Sequence, residues 1–151
     1  MKTVRGDLIS LAKKGEFDVI IHGCNCFCTM GAGIALQVRE CFPQAYEEDL
    51  KTKRGDKNKL GDISYTEVEV KGVKLIVVNA YTQYSYRGRG QKADYKAIRS
   101  VFKKIKEKYT GLRIAYPAIG AGLAGGNWEV ISKIINEELA DENHTFVIYN
   151  K

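Results

Sequence analysis

Residues 119–126 read Ile119-Gly120-Ala121-Gly122-Leu123-Ala124-Gly125-Gly126, a glycine-rich stretch between a predicted strand at 113–117 and a predicted helix at 128–139. A stretch of the same kind, Met30-Gly31-Ala32-Gly33-Ile34-Ala35, follows the β-branched strand predicted at 18–22. Glycines there let backbone N–H groups approach an anion closely, and the following helix adds its positive end. Alternatively, both stretches only make tight turns. Because two such loops occur, each after a buried strand, we favour two sides of one diphosphate-binding cleft.

Strand-like and helix-like segments alternate along the chain. Apolar alternation and β-branched runs predict strands at residues 2–5, 18–22, 62–70, 73–81, 113–117 and 145–149. Apolar faces at helical spacing predict helices at residues 8–14, 32–41, from 43 towards 54, 93–109 and 128–139. Gly72 makes a hairpin of the third and fourth strands. The pattern predicts a three-layer α/β/α domain with a mixed, largely parallel central sheet.

The length and the cysteines bound the class of protein. A chain of 151 residues predicts one domain, residues 1–151, with one core. Cys24, Cys26 and Cys28 crowd together, with Cys41 nearby, which indicates reduced thiols and not a secreted disulfide scaffold. No apolar run has the length of a membrane span, and the first residues lack a secretory signal. We therefore expect a cytoplasmic protein without a membrane partner.

The net charge of +6 and the pI of about 9.1 favour anionic partners. Most basic residues are dispersed, so solvated surface lysines explain them better than a nucleic-acid interface does. Arg87 and Arg89 differ, because their neighbours are glycines and tyrosines. They either neutralise a terminal phosphate of the ligand or belong to a mobile basic surface loop, and the sequence favours neither.

The second glycine loop also matches G-x-G-x-x-G, at Gly120, Gly122 and Gly125. In a Rossmann fold this motif belongs to the first βαβ unit, with most of the nucleotide domain after it. Here only one predicted helix and one predicted strand follow Gly126. The order of elements therefore counts against a Rossmann dinucleotide site.

Several motifs together resemble the macrodomain family over essentially the whole chain. They are Gly6-Asp7-Leu8, His22-Gly23-Cys24-Asn25, Met30-Gly31-Ala32-Gly33-Ile34-Ala35, Tyr116-Pro117-Ala118-Ile119-Gly120-Ala121-Gly122-Leu123 and Asn127-Trp128. The resemblance implies binding of ADP-ribose or a derivative, without a cofactor. The chain is most similar to the compact branch with an H-x-C-N segment.

The resemblance implies a role for each matching position. Asp7, with Leu8 beside it, would accept a hydrogen bond from the adenine amino group, and Asp7 can also cap the next helix. Asn25 would hold the ribose farther from adenine, the distal ribose, since an amide offers both a donor and an acceptor. The diphosphate would lie between the two glycine loops, at Gly31, Ala32, Gly33, Ile34, Pro117, Ile119, Gly120, Ala121, Gly122 and Leu123.

This branch includes ADP-ribose 1''-phosphate phosphatases and ADP-ribosyl-glutamate hydrolases. The hydrolases rely on a lysine after the central strand and an aspartate in the second loop. Gln83 or Tyr84 occupies the first place here and Ala124 the second, which counts against a covalent lysine mechanism. We favour hydrolysis of ADP-ribose 1''-phosphate. The alternatives are a non-catalytic ADP-ribose reader, or removal of ADP-ribose from ADP-ribosylated proteins.

Asn25 and His22 are the predicted catalytic residues. Asn25 would orient the ribose, and His22 could protonate a leaving oxygen or activate water. The alternative for His22 is a structural hydrogen bond at a strand end. His22 and the nearby cysteines lack the C-x-x-C pairs of structural zinc, so we expect no metal. Tyr149 and Asn150 are expected to border the adenine pocket.

Overall fold

The computed structural model describes residues 1–87 and 90–149. The strands are β1 (Lys2–Gly6), β2 (Val19–Cys24), β3 (Ile63–Val70), β4 (Val73–Tyr81), β5 (Ile114–Tyr116) and β6 (His144–Tyr149). The helices are α1 (Leu8–Lys13), α2 (Gly33–Cys41), α3 (Pro43–Leu50), α4 (Tyr95–Tyr109) and α5 (Trp128–Glu138), with a 3₁₀ turn at Lys57–Lys59. Within the described ranges, no helix is long and apolar enough to cross a membrane.

The six strands form one sheet in the order β1-β6-β5-β2-β4-β3. The β3–β4 pair is antiparallel, and the other pairs are parallel. The hairpin turns at Lys71 and Gly72, with φ of 51° and 81°, as tight β-hairpins require. The mixed, largely parallel sheet is therefore confirmed.

Helices cover both faces of the sheet. Residues of α4 and α5 pack on one face, and those of α1, α2 and α3 pack on the other. In β2, Val19 and Ile21 face the α4–α5 side while Ile20 faces the opposite side, since strand side chains alternate. Burial on both faces explains why β2 is a continuous apolar run. The three-layer prediction is confirmed.

One helix is shorter than predicted. α3 ends at Leu50, although the sequence pattern extends towards Arg54. The chain turns back after the helix: Gly55, at a φ of 76°, donates its N–H to the Cys26 carbonyl at 2.7 Å. This contact brings the end of α3 beside the loop that follows β2.

A candidate anion-binding cleft

A cavity of about 840 Å³ opens at the carboxyl ends of β2, β4, β5 and β6. Such ends form the ligand crevice of open α/β sheets. The loop after β2 and the loop after β5 line opposite sides, and the end of β6 lines a third. The predicted diphosphate residues that line the cavity are Gly31, Ala32, Gly33, Ile34, Pro117, Ile119, Gly120, Gly122 and Leu123.

The first glycine loop ends in a helix N-terminus with free donors. α2 begins at Gly33, and among the described residues no side chain caps it at Ala32. The first N–H groups of a helix have no partner within the helix, so they are available to an anion at the cleft wall. Gly33 has a φ of 57°, which favours glycine, and Ile34 follows it along the wall.

The second glycine loop is a compact turn. The Gly126 N–H donates to the Gly120 carbonyl at 2.7 Å, and the Gly125 N–H donates to Gly122 at 3.1 Å. A Cβ at Gly126 would lie 2.5 Å from the Gly120 oxygen, so only glycine fits there. Leu123 reaches towards the first loop. A Cβ added at Gly33 would lie 3.6 Å from Leu123 Cδ1. The two loops therefore face each other across the cavity.

The loop after β4 contributes a basic residue, Lys92, to the cleft wall. Lys92 lines the cavity, and its N–H donates to the Ala124 carbonyl of the second loop at 2.7 Å. Arg87 does not line it: its Nε donates to the Tyr86 hydroxyl at 3.2 Å on the exposed surface. Arg89 lies outside the described residues. The phosphate contact expected of Arg87 stays a prediction, and Lys92, which the sequence did not single out, lines the cavity instead of it.

Asn25 lies in the cleft wall, where the resemblance places it. Its Nδ2 donates to the Thr29 hydroxyl at 2.7 Å, and its Oδ1 accepts from the Phe27 N–H at 2.8 Å. Each end of the amide keeps one further hydrogen-bonding position for a ligand. These bonds hold the side chain in one orientation beside the cavity.

His22 does not lie in the cleft. It is 1% exposed, and its Nε2 lies 2.6 Å from Asn79 Oδ1. Burial lowers the pKa of His22 to about 4, so the imidazole is neutral near pH 7. The ring has no access to the cavity, which counts against the predicted catalytic role of His22, and that role stays a prediction. The geometry favours the structural alternative.

The residues predicted to border adenine lie where β6 meets β1. Tyr149 lines the cavity and pairs in the sheet with Gly6, but neither Asp7 nor Leu8 lines the cavity itself. Asp7 Oδ1 accepts from the Ser10 N–H at 2.9 Å and caps α1, so its predicted capping role is seen. Leu8 is buried in the core. The adenine contact of Asp7 stays a prediction, and Asn150 lies outside the described residues.

The cysteines are free thiols, and burial keeps the inner ones protonated. It raises the pKa of Cys24 well above its usual range and that of Cys26 to about 11. Over residues 1–87 and 90–149, no group of three or more His, Cys, Asp or Glu side chains is placed to hold a metal. Asp49 also lines the cavity, next to these thiols, and the sequence did not single it out.

A Macro domain family model matches residues 21–135, most of the chain. The chain belongs to the macrodomain family. A 17.5 kDa protein of Enterobacteria phage T4, from the tk-vs intergenic region, is 37% identical over 141 residues, which are 90% of this chain and 88% of that one.

Solved structures share this macrodomain fold. A Bacteroides thetaiotaomicron protein of unknown function is 25% identical with a TM-score of 0.71, over 99% of this chain and 97% of that one. The Thermus aquaticus DarG macrodomain is 22% identical with a TM-score of 0.70 over the same shares. Thermosipho africanus DarTG, solved with ADP-ribose, is 21% identical with a TM-score of 0.75, over 99% of this chain and 41% of that one.

The macrodomain cleft thus brings together most of the predicted ligand residues. Beyond Asp7, Leu8, His22 and Arg87, the predicted Ala121 also does not line the cavity. The residues that sequence reasoning missed there include Asp49, Thr82, Tyr86, Lys92 and Val147. None of these belongs to a glycine motif, so only the packing of distant elements reveals them.

Proposed function

We propose that this macrodomain binds ADP-ribose, with the diphosphate between the two glycine loops. The observation that carries the proposal is the pair of loops after β2 and β5, which face each other across the cavity with the open N-terminus of α2 on one side. Backbone N–H groups and the helix dipole stabilise an anion there. Thermosipho africanus DarTG, which shares the fold, was solved with ADP-ribose, and this supports the choice of ligand.

The ligand would run along the sheet with its two sugars at opposite ends. Adenine would lie near Tyr149 at the β6 end, close to Asp7. The Phe146 ring lines this part, and the Trp128 ring packs behind it at a centroid distance of 4.4 Å. The distal ribose would then lie at the β2 and β4 end, beside Asn25.

We further propose hydrolysis at the distal ribose, with ADP-ribose 1''-phosphate as the favoured substrate. Water would attack phosphorus, and the bond from phosphorus to the C1'' oxygen would break to give ADP-ribose and phosphate. Lys92 is a cation on the cleft wall that can neutralise the terminal phosphate. Asn25 would orient the ribose. Such a site accelerates the reaction by positioning and by stabilising charge.

A non-catalytic reader is the second candidate, and the burial of His22 favours it, because the predicted acid–base residue does not reach the cavity. Removal of ADP-ribose from proteins has less support. Gln83 lines the cleft at the place expected for the hydrolase lysine, and Ala124 lines it at the place expected for the aspartate.

Calorimetry with ADP-ribose, followed by a phosphorus NMR time course with ADP-ribose 1''-phosphate, tests the proposal. We expect saturable binding of ADP-ribose and growth of the inorganic phosphate signal. Lys92→Ala should weaken binding of ADP-ribose 1''-phosphate more than binding of ADP-ribose. Lys96→Ala, on the exposed surface of α4, should change the binding of neither ligand. Binding without turnover would establish the reader, and no binding of ADP-ribose would refute the proposal.

A further inference from the structure

A residue that lines the cavity carries a buried carboxyl group with one unused oxygen. Asp49, in the last turn of α3, is 1% exposed and lines the cavity. Its Oδ1 accepts from the Tyr81 hydroxyl at 2.7 Å. Its Oδ2 accepts no hydrogen bond from any described residue. A buried acceptor without a partner is unfavourable, and a donor on the ligand would remove that cost.

A chain of buried hydrogen bonds fixes this carboxyl group. Asn79 Oδ1 can only accept, so His22 donates to it through Nε2 at 2.6 Å. Asn79 Nδ2 donates to Ser64 Oγ at 3.0 Å. The one Tyr81 hydrogen is used on Asp49, so Ser64 donates to the Tyr81 oxygen at 2.8 Å. The donors of the chain run from His22 to Asp49, with the second Asn79 hydrogen on the Ala45 carbonyl, so Oδ1 is held and Oδ2 is left without a partner among the described residues.

The position of Tyr81 in the sheet places its hydrogen-bond partner Asp49 at the distal end of the proposed ligand. Its partner Tyr81 ends β4, and β4 and β6 are separated by β2 and β5. The buried cation nearby, Lys59, donates to the Cys26 carbonyl at 3.1 Å and forms no ion pair with Asp49 within the described ranges. Burial raises the pKa of Asp49 despite this cation.

We infer that Asp49 is a specificity residue whose Oδ2 accepts a hydrogen bond from a hydroxyl group of the distal sugar. The inference rests on the proposed function and names a contact that the glycine loops cannot supply. It selects nucleotides that carry a hydroxyl-bearing sugar beyond the diphosphate. It also directs an anionic substituent of that sugar away from Asp49 and towards Lys92, because two negative charges repel in a low dielectric.

Calorimetry of wild type and Asp49→Asn with ADP-ribose and with ADP tests this inference. ADP keeps the adenosine and the diphosphate but lacks the distal sugar. A hydrogen bond to a charged group contributes about 1.5–3 kcal/mol, so Asp49→Asn should weaken ADP-ribose roughly tenfold or more. Binding of ADP should not weaken. Glu48→Gln, the neighbouring carboxylate paired with Lys51 on the surface, is the matched control and should affect neither ligand.

Tyr81→Phe is the second variant. It removes the donor to Oδ1 and leaves Oδ2, so it should weaken ADP-ribose less than Asp49→Asn does, again without weakening ADP. It keeps the test decisive if Asp49→Asn does not fold. Two results would overturn the inference: an equal loss of affinity for ADP-ribose and ADP, or unchanged ADP-ribose binding in both variants. Neither result would affect the proposed function, provided that the wild type binds ADP-ribose. A wild type that binds neither ligand would instead refute the proposed function and the inference with it.

Discussion

Replacing Gly126 by alanine should destabilise the fold through the second glycine loop. The added Cβ would lie 2.5 Å from the Gly120 oxygen, 2.9 Å from Ile131 Cδ1 and 3.1 Å from Ala93 Cβ. The first of these atoms belongs to the backbone, so it cannot move without moving the loop. The hydrogen bond between the Gly126 N–H and the Gly120 carbonyl, at 2.7 Å, must lengthen as well.

The magnitude follows from two costs. Overpacking of this kind costs about 1–3 kcal/mol, and a weakened backbone hydrogen bond adds about 1 kcal/mol. The free energy of unfolding should therefore fall by roughly 2–4 kcal/mol. For a domain of this size, that corresponds to a Tm lowered by roughly 4–16 °C.

Urea denaturation of Gly126→Ala, with Gly122→Ala as the control, measures the effect. A Cβ at Gly122 meets no atom within 4 Å and lines the cleft, so the control should stay within about 0.5 kcal/mol of wild type. Gly122→Ala should instead alter ADP-ribose binding. If Gly126→Ala were as stable as wild type, or if both variants lost the same stability, the steric argument would be refuted.

Two further predictions concern titratable side chains. Burial lowers the pKa of His22 from 6.5 to about 4, so between these pH values the unfolded chain binds a proton that the folded protein does not. The free energy of unfolding should therefore fall as the pH is lowered from 6.5 to about 4. The loss is about 3 kcal/mol for His22. In His22→Gln the free energy of unfolding should depend less steeply on pH, but the dependence should not vanish, since burial also lowers the pKa of His144. An unchanged pH dependence would contradict the burial argument. Thiol labelling of the native protein should modify the exposed Cys41 first, and the buried Cys24 and Cys26 only after unfolding; rapid labelling of all four thiols would show that the core opens readily.

The fold was predictable because its signals are local. The apolar run of β2 indicates a buried strand, and the glycines after β2 and β5 indicate tight turns. Each of these signals lies within a few residues. His22 shows where this reasoning stops: strand alternation places it on the face of Ile20 and Cys24, but the sequence does not say what covers that face. Its partner Asn79 is distant in the chain and became visible only once β2 and β4 were paired.

The misses in the cleft have the same origin. Asp49 lies in the last turn of an acidic helix, after Glu47 and Glu48, and its hydrogen bond from Tyr81 of β4 distinguishes it from them. Lys92 and Arg87 lie in one polar loop. Lys92 lines the cavity, where its N–H donates to the Ala124 carbonyl, a contact between two loops that no local pattern encodes.

The edge position of β1 has a kinetic consequence. Among the described strands β1 pairs with β6 alone, so it joins the sheet only when a strand far along the sequence is in place. Pairing of strands so distant in sequence is slow, because loop-closure entropy is lost before the contacts form. The β2, β4 and β5 part of the sheet can assemble earlier. We therefore expect the cleft wall formed by β2, β4 and β5 to be in place before the β1–β6 edge of the sheet.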